Sequence, residues 1–253
     1  MPLEIVTVPC RTDNYAFLLH NAASGQTALV DAPEAEPIRA ALDSRGWTLS
    51  DILITHHHDD HIAGVAALRH GTRVTGNAAD AHRLPALDHP VSPGDRFTLC
   101  GEMAHVIDVP GHTVGHIAFH LPASHAVFTA DSLMALGCGR LLEGTAAQMW
   151  DSLTRIAALP CDTAVCSGHE YTAANGRFAI TIEPDNLDLQ ARIANIERVR
   201  AKRLATVPST LDLELRTNPF LRAGLASIKA SLNMAGSSDI DSFAEIRARK
   251  DRF

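Results

Sequence analysis

The 253-residue chain has few aromatic side chains, no long apolar run and no excess of positive charge. Phe, Tyr and Trp together make only 5% of it, so a core must come from leucine, isoleucine, valine and alanine. No apolar stretch approaches the roughly 20 residues of a membrane-spanning helix, and no membrane partner is expected. A formal net charge of −7 offers no basic face to neutralise phosphates, which argues against a nucleic-acid partner. Cys10, Cys100, Cys138, Cys161 and Cys166 are odd in number and contain no Cys-x-x-Cys, which suits reduced thiols rather than a disulfide framework. The N-terminal segment MPLEIVTVPC carries an acid among alternating apolar residues and reads as a strand, not a leader. A cytoplasmic protein follows, and a monomer is expected. Hydrophobic residues still reach 46% against 20% charged, enough for a packed core in one large or two modest domains.

Up to about residue 170 the text is short β runs between turn residues. Strands are predicted at 5–8, 15–20, 27–30, 52–55, 73–75, 97–99, 105–109, 117–120, 126–129 and 163–166, with a hairpin-like turn at Gly101-Glu102. Helices are predicted at 38–42, at 63–70, and from a Thr145 cap to about residue 159 with Met149, Leu153 and Ile156 on one face. From Ala173 the character changes to charge-rich segments with helical spacing (Leu189, Ile193, Ile196, Leu204), and no strand is expected there. The organisation predicted is an α/β region of two mixed-sheet layers with flanking helices at 1–172, followed by a helical domain at 173–253.

Histidine is what the chain has in plenty: 14 copies, densest in Thr55-His56-His57-His58-Asp59-Asp60-His61. In an extended segment side chains two apart share a side, so His56 and His58 can grip one ion. Where the chain enters a helix, Asp60 and His61 turn toward a neighbouring point, while His57 and Asp59 point away. Two ligands per ion leave both sites incomplete, and other strand ends supply more: His112 after 105–109, Asp131 after 126–129, His169 after 163–166. A carboxylate can bridge two ions, and Asp131, apart from the cluster, is best placed for it. Imidazole with carboxylate suits zinc, iron or manganese. His57, His70, His82, His89 and His125 read as ordinary structural histidines, and His116 as a residue behind the ligands.

These residues resemble the metallo-β-lactamase superfamily, marked by HxHxDH with later His, Asp and His ligands. The resemblance covers 1 to about 172 and implies an αββα sandwich. Gly137-Cys138-Gly139-Arg140, Glu143-Gly144-Thr145, Gly168-His169-Glu170-Tyr171-Thr172, Asn218-Pro219-Phe220 and Arg247…Lys250-Asp251-Arg252-Phe253 look more narrowly like glyoxalase II, the hydroxyacylglutathione hydrolases. That resemblance implies hydrolysis of S-D-lactoylglutathione to D-lactate and glutathione, a step of methylglyoxal detoxification, with two divalent ions, zinc or otherwise iron or manganese. By position, His56, His58 and His112 would hold one ion and Asp60, His61 and His169 the other, with Asp131 and a water or hydroxide bridging them. It also implies glutathione contacts from Arg140 and Tyr171, and from Arg247 and Lys250 in a C-terminal glutathione-binding domain at 173–253. The chain departs at Leu142, where relatives often have an aromatic that helps hold the peptide. Leu142 either leaves that contact unmade or packs into the core beneath its loop.

The chemistry needs no Ser, Cys or Lys nucleophile. A bound ion lowers the pKa of water from 15.7 to about 7 and polarises the thioester carbonyl, and a thiolate leaves with little general-acid help. Asp59 reads as a solvated loop acid and Cys138 as a structural thiol between turn glycines. Rival readings are an iron-dependent glutathione persulfide dioxygenase of the same superfamily, a metallo-nuclease or lactonase, and a non-catalytic metal- or thiol-binding module. The C-terminal Lys-Asp-Arg-Phe argues against the dioxygenase.

Overall fold

The computed structural model describes residues 2–253. Met1, the first residue of the N-terminal strand segment, lies outside the described residues. The chain divides into two compact units, one of residues 1–108 and 115–130, the other of 109–114 and 131–253.

The first unit holds β1 (Glu4–Cys10), β2 (Asn14–His20), β3 (Thr27–Val30), α1 (Ala35–Asp43), β4 (Leu49–Leu53), α2 (Asp59–Ile62), α3 (Val65–Leu68), β5 (Arg73–Asn77), β6 (His89–Val91), β7 (Arg96–Leu99), β8 (Glu102–Asp108), β9 (Ile117–Leu121) and β10 (Ala126–Ala130). β1 to β6 lie in sequence order in one sheet; β1, β2 and β3 pair antiparallel, and β3 to β6 pair parallel. The register sets Leu18, Leu29, Ile52 and Val74 in one row, and that row packs with Ile38, Leu42, Val65 and Leu68 of α1 and α3. The alternate residue Phe17 meets Phe128 of β10 edge to face at 5.5 Å, so the other face packs on the antiparallel β7–β10 meander. Burial on both faces explains why β2 and β3 read as apolar runs (Tyr15 to Leu19, Ala28 to Val30) instead of alternating.

The second unit holds β11 (Leu133–Met134), β12 (Gly137–Cys138), α4 (Ala146–Ala157), β13 (Ala164–Ser167), α5 (Thr172–Ile182), α6 (Leu187–Ala201), β14 (Ser209–Thr210), α7 (Leu211–Thr217), α8 (Ala226–Ser231) and α9 (Asp239–Arg252). Thr145 and Gln148 form a full capping box on α4, with Met149, Leu153 and Ile156 buried. Leu136, Ala179, Leu189 and Ile196 form one apolar cluster around α5 and α6. Phe178, Phe220 and Phe243 form another, with successive ring centroids 6.1 and 5.9 Å apart.

Four local expectations change. The helix predicted at 63–70 is only the short α3, set off from α2 at Gly64, whose amide donates to the Ala32 carbonyl at 2.8 Å. The turn predicted at Gly101-Glu102 sits one residue earlier: Cys100 and Gly101 both have positive φ and Glu102 already pairs with Leu99, the two-residue turn that suits strand twist. A short strand, β14, does occur after residue 173, pairing antiparallel with β13. Leu204 lies beyond the end of α6 and is exposed.

Candidate metal centre

The first unit presents the contiguous ligands. β4 ends at Leu53, and the extended chain carries His56 and His58 before α2 begins at Asp59. His56 Nε2 lies 3.1 Å from His58 Nδ1. Two bonds of about 2.1 Å meeting at a tetrahedral angle put their ligand atoms about 3.4 Å apart, so this spacing suits one ion. His61 Nε2 lies 3.9 Å from Asp60 Oδ2, the second predicted pair. His57 turns aside, with Nδ1 3.3 Å from Asp80, whose other oxygen accepts from Arg83 at 2.6 Å. Asp59 is a solvated acid, 81% exposed and paired with Arg11. His116 stacks on the His56 ring at 4.5 Å.

Two residues absent from the sequence reading shape this half. Asp31, buried at the end of β3, accepts from the Thr55 amide at 2.9 Å and from the Thr55 hydroxyl at 2.8 Å, and faces His61 Nδ1 at 2.8 Å. A carboxylate on Nδ1 fixes that proton there and leaves Nε2 basic for a metal. Asn14 donates through Nδ2 to the Asp60 carbonyl and carboxylate at 3.0 and 3.1 Å. An acid closing a buried strand beside the histidine loop was a readable signal for Asp31; nothing local marks Asn14.

The second unit presents the dispersed ligands. Asp131 Oδ2 lies 3.4 Å from His112 Nε2, and Asp131 Oδ1 lies 3.3 Å from His169 Nε2. One carboxylate thus turns a different oxygen to each of two imidazoles, the arrangement a bridging ligand needs. Ala130, just before it, is held at φ +40°, a strained conformation for a residue with a Cβ. His112 Nδ1 lies 2.9 Å from the Arg140 carbonyl; a carbonyl only accepts, so Nδ1 carries the proton and Nε2 is the basic nitrogen. Gly111, at φ +145°, lies so close to Met149 that a Cβ there would sit 2.7 Å from it. Ser152 of α4 donates to the Pro110 carbonyl at 2.7 Å.

The residues expected to contact substrate are all in this unit. Arg140 is exposed. Tyr171 is half-exposed and stacks on His169 at 4.7 Å with the planes 6° apart. Lys250 Nζ lies over the Phe178 and Phe253 rings and donates to the Ala174 carbonyl at 3.3 Å; burial, with Arg247 and Arg177 nearby, lowers its pKa to about 8. Arg247 is not at the surface: it is 5% exposed, donates to the Cys138 carbonyl at 2.9 Å and to Asp251 at 2.8 Å, and lies over the Phe220 ring. Leu142 is 57% exposed, which removes the reading that it packs into the core. Burial pushes the Cys138 thiol up to about 11 despite Arg247, so it is protonated near neutrality and no nucleophile.

The metallo-β-lactamase superfamily model matches residues 13–169 and the model "Hydroxyacylglutathione hydrolase C-terminus" matches 170–253. The chain belongs to the hydroxyacylglutathione hydrolase family. Its full length aligns with the full length of hydroxyacylglutathione hydrolases of Ruegeria pomeroyi, at 62% identity, and Cereibacter sphaeroides, at 60%. Among solved structures it is similar to ETHE1 from Myxococcus xanthus, with a TM-score of 0.68, 26% identity and 98% and 90% of the two chains covered. TTHA1623 in a di-iron-bound form gives 0.62 and 26%, over 86% and 100%. The fold is the metallo-β-lactamase-like αββα sandwich with a C-terminal helical region, and the family together with its His/Asp clusters makes the chain a binder of divalent metal.

Proposed function

We propose that the chain hydrolyses S-D-lactoylglutathione and related 2-hydroxyacyl glutathione thioesters to the hydroxy acid and glutathione, in the cytoplasm, as a monomer acting in methylglyoxal detoxification. The observation that carries this is the pairing of a complete family match, including the C-terminal region, with ligand sets spaced for divalent ions in both units. His56, His58 and His112 would hold one ion, Asp60, His61 and His169 the other, and Asp131 both. The ions are zinc in this proposal; the di-iron-bound relative keeps iron as the alternative. Bound divalent ions supply a nucleophile from water near pH 7 and a Lewis acid for the carbonyl oxygen.

The chain's own groups do the rest. Asp31 and the Arg140 carbonyl hold the protons of His61 and His112 on Nδ1, so that Nε2 of each stays a ligand. Asp60, steadied by Asn14, and Asp131 contribute the negative charge that balances the ions. The division at 1–172 and 173–253 assigns catalysis to the first part and glutathione binding to the second, with Lys250 of the second part joined by Arg140 and Tyr171 of the first in touching glutathione. Arg247 shares that role from behind, holding the Cys138 segment from its buried position.

Metal analysis together with loss of the S-lactoylglutathione thioester absorbance tests this. Two ions per chain and metal-dependent turnover are expected. Fully metallated protein without turnover would make it a binding module, and oxygen uptake with glutathione persulfide would make it a dioxygenase.

A further inference from the structure

A buried polar relay in the C-terminal helices reaches the dispersed ligands without touching any of them. Arg192 of α6 and Glu214 of α7 are 7% and 0% exposed and pair with each other, and Ser209 donates to the same Glu214 oxygen. Glu214 Oε2 accepts from the Leu136 amide at 2.9 Å and from Asn218 Nδ2 at 3.1 Å. Asn218 Nδ2 also donates to the Met134 and Gly137 carbonyls, at 3.1 and 3.0 Å. Met134 to Gly137 is the tip of the β11–β12 hairpin, whose turn puts Leu136 at φ +57°. A non-glycine residue held there is strained and needs outside support, which Glu214 gives by taking its amide. Asn175 of α5 adds a third anchor, donating to the Ala135 carbonyl at 3.0 Å.

One end of this hairpin adjoins the proposed ligand Asp131, and the other adjoins the residue that orients His112. Its first strand follows Asp131. Its second leads into Gly139, whose amide donates to the Ser132 carbonyl at 3.1 Å; a Cβ on Gly139 would overlap the Asp131 carbonyl. Next comes Arg140, whose carbonyl orients His112. Tip position therefore sets both the Asp131 backbone and the His112 tautomer partner. We propose that Glu214 and Asn218, with Arg192 balancing the Glu214 charge, are positioning residues for the His112–Asp131 half of the metal centre. The α6–α7 helices thus act on the metal centre, while the proposed tripeptide contacts of the C-terminal region lie on α9.

This rests on the hydrolase reading, and the test keeps the two apart. The wild-type chain is assayed first on S-lactoylglutathione; no turnover in the metallated wild type would sink the hydrolase reading, whatever the relay does. The relay is tested with Asn218→Ala, which leaves the Arg192–Glu214 pair in place, and with the double variant Arg192→Met/Glu214→Leu. The double variant removes the buried ion pair at similar volume, a change that folded proteins tolerate, and deletes the acceptor of the Leu136 amide. Zinc affinity, by competition with a chromophoric chelator, and kcat, KM and melting temperature are measured on both. Loss of a group that orients a ligand costs about 10–100-fold in metal affinity or activity. We expect a fall in that range in zinc affinity and kcat for both variants, with KM within about twofold. Wild-type zinc affinity and kcat in either variant that folds, with at most a lower melting temperature, would overturn the proposal and leave the relay as packing alone. Should the double variant fail to fold, Asn218→Ala alone decides.

Discussion

The two proposed ligand sets of this chain are built in opposite ways. In the first unit four ligands lie within six residues, and the alternation of an extended strand exit followed by one helical turn is enough to aim them. In the second unit His112, Asp131 and His169 come from three separate strand exits. Their aim depends on backbone held from elsewhere: the Arg140 carbonyl, α4 under Pro110, the hairpin pinned by α7. A contiguous motif carries its geometry in local backbone rules. A dispersed one borrows it, and so has more residues at which it can fail.

Substitution separates them. The largest effect is expected at Asp131, whose two oxygens face two different histidines. Asp131→Ala should lower occupancy of both ions and cut kcat by more than the roughly 100-fold ceiling seen for outer-sphere changes, whereas His169→Ala should mainly empty one. Two tightly held ions and near-normal kcat in Asp131→Ala, by metal analysis and kinetics, would end the bridging assignment.

Asp31 asks whether the contiguous set is as self-sufficient as it looks. Asp31→Asn keeps the shape but can present an N–H to His61 Nδ1, the wrong partner for a protonated nitrogen. A loss of about 10-fold or more in metal affinity is expected, concentrated in the ion held by Asp60 and His61. If chelator competition finds no change, the loop aims itself and the contrast between the two sets is sharper still.

The HxHxDH loop was legible as a candidate site because its information is local, and the three later candidates because each follows a predicted strand. Neither signal says what stands behind a ligand. Asp31 and Asn14 are far from the histidines in the chain and reach them only through strand pairing. The burial of Arg247 was hidden for a different reason. A lysine- and arginine-rich terminus reads as a charged rim, yet the ridge of α9 that carries Phe243 and Ile246 also buries Arg247. The single helix predicted at 63–70 failed at Gly64, where the reason for a glycine is a distant carbonyl rather than a neighbour in sequence.

Arg247 and Lys250, three residues apart on α9, should therefore behave differently. Arg247→Ala leaves the Cys138 carbonyl without its donor and opens a space beside Phe220, and should cost about 1–3 kcal/mol in a thermal melt as well as raising KM. Lys250→Ala should raise KM about fivefold, with kcat unchanged, as loss of a remote charge contact does. Lys250 also sets a pH dependence. With its pKa lowered to about 8 from 10.5, the cation is present below pH 8 and lost above it, so KM should rise through pH 8 in the wild type and not in Lys250→Ala. Stability runs the other way: between pH 8 and 10.5 the unfolded chain binds the proton that the folded chain has released, so this group favours folding increasingly as pH rises. Equal KM profiles for wild type and variant would remove Lys250 from the substrate contacts.

The smallest effect is expected at Leu142, beside the dispersed set. Its exposed side chain has room for a larger group, so the overpacking that a core leucine would suffer does not apply. The segment is held on both sides of it. The Arg140 carbonyl is fixed by His112, and Glu143 accepts from the Val114 amide at 2.8 Å, so the backbone at 142 is not free to swing a new ring away. A tyrosine there can give one hydrogen bond to the glutathione main chain. A neutral hydrogen bond contributes about 0.5–1.5 kcal/mol net, so Leu142→Tyr should lower KM by roughly two- to tenfold. The contact is remote from the thioester, so kcat should hardly move. The melting temperature should stay near the wild-type value, since surface substitutions usually change stability by less than about 0.5 kcal/mol. An unchanged KM with an unchanged melt would show that this chain holds the tripeptide without a contact at 142, leaving Tyr171, Arg140 and Lys250 to orient it.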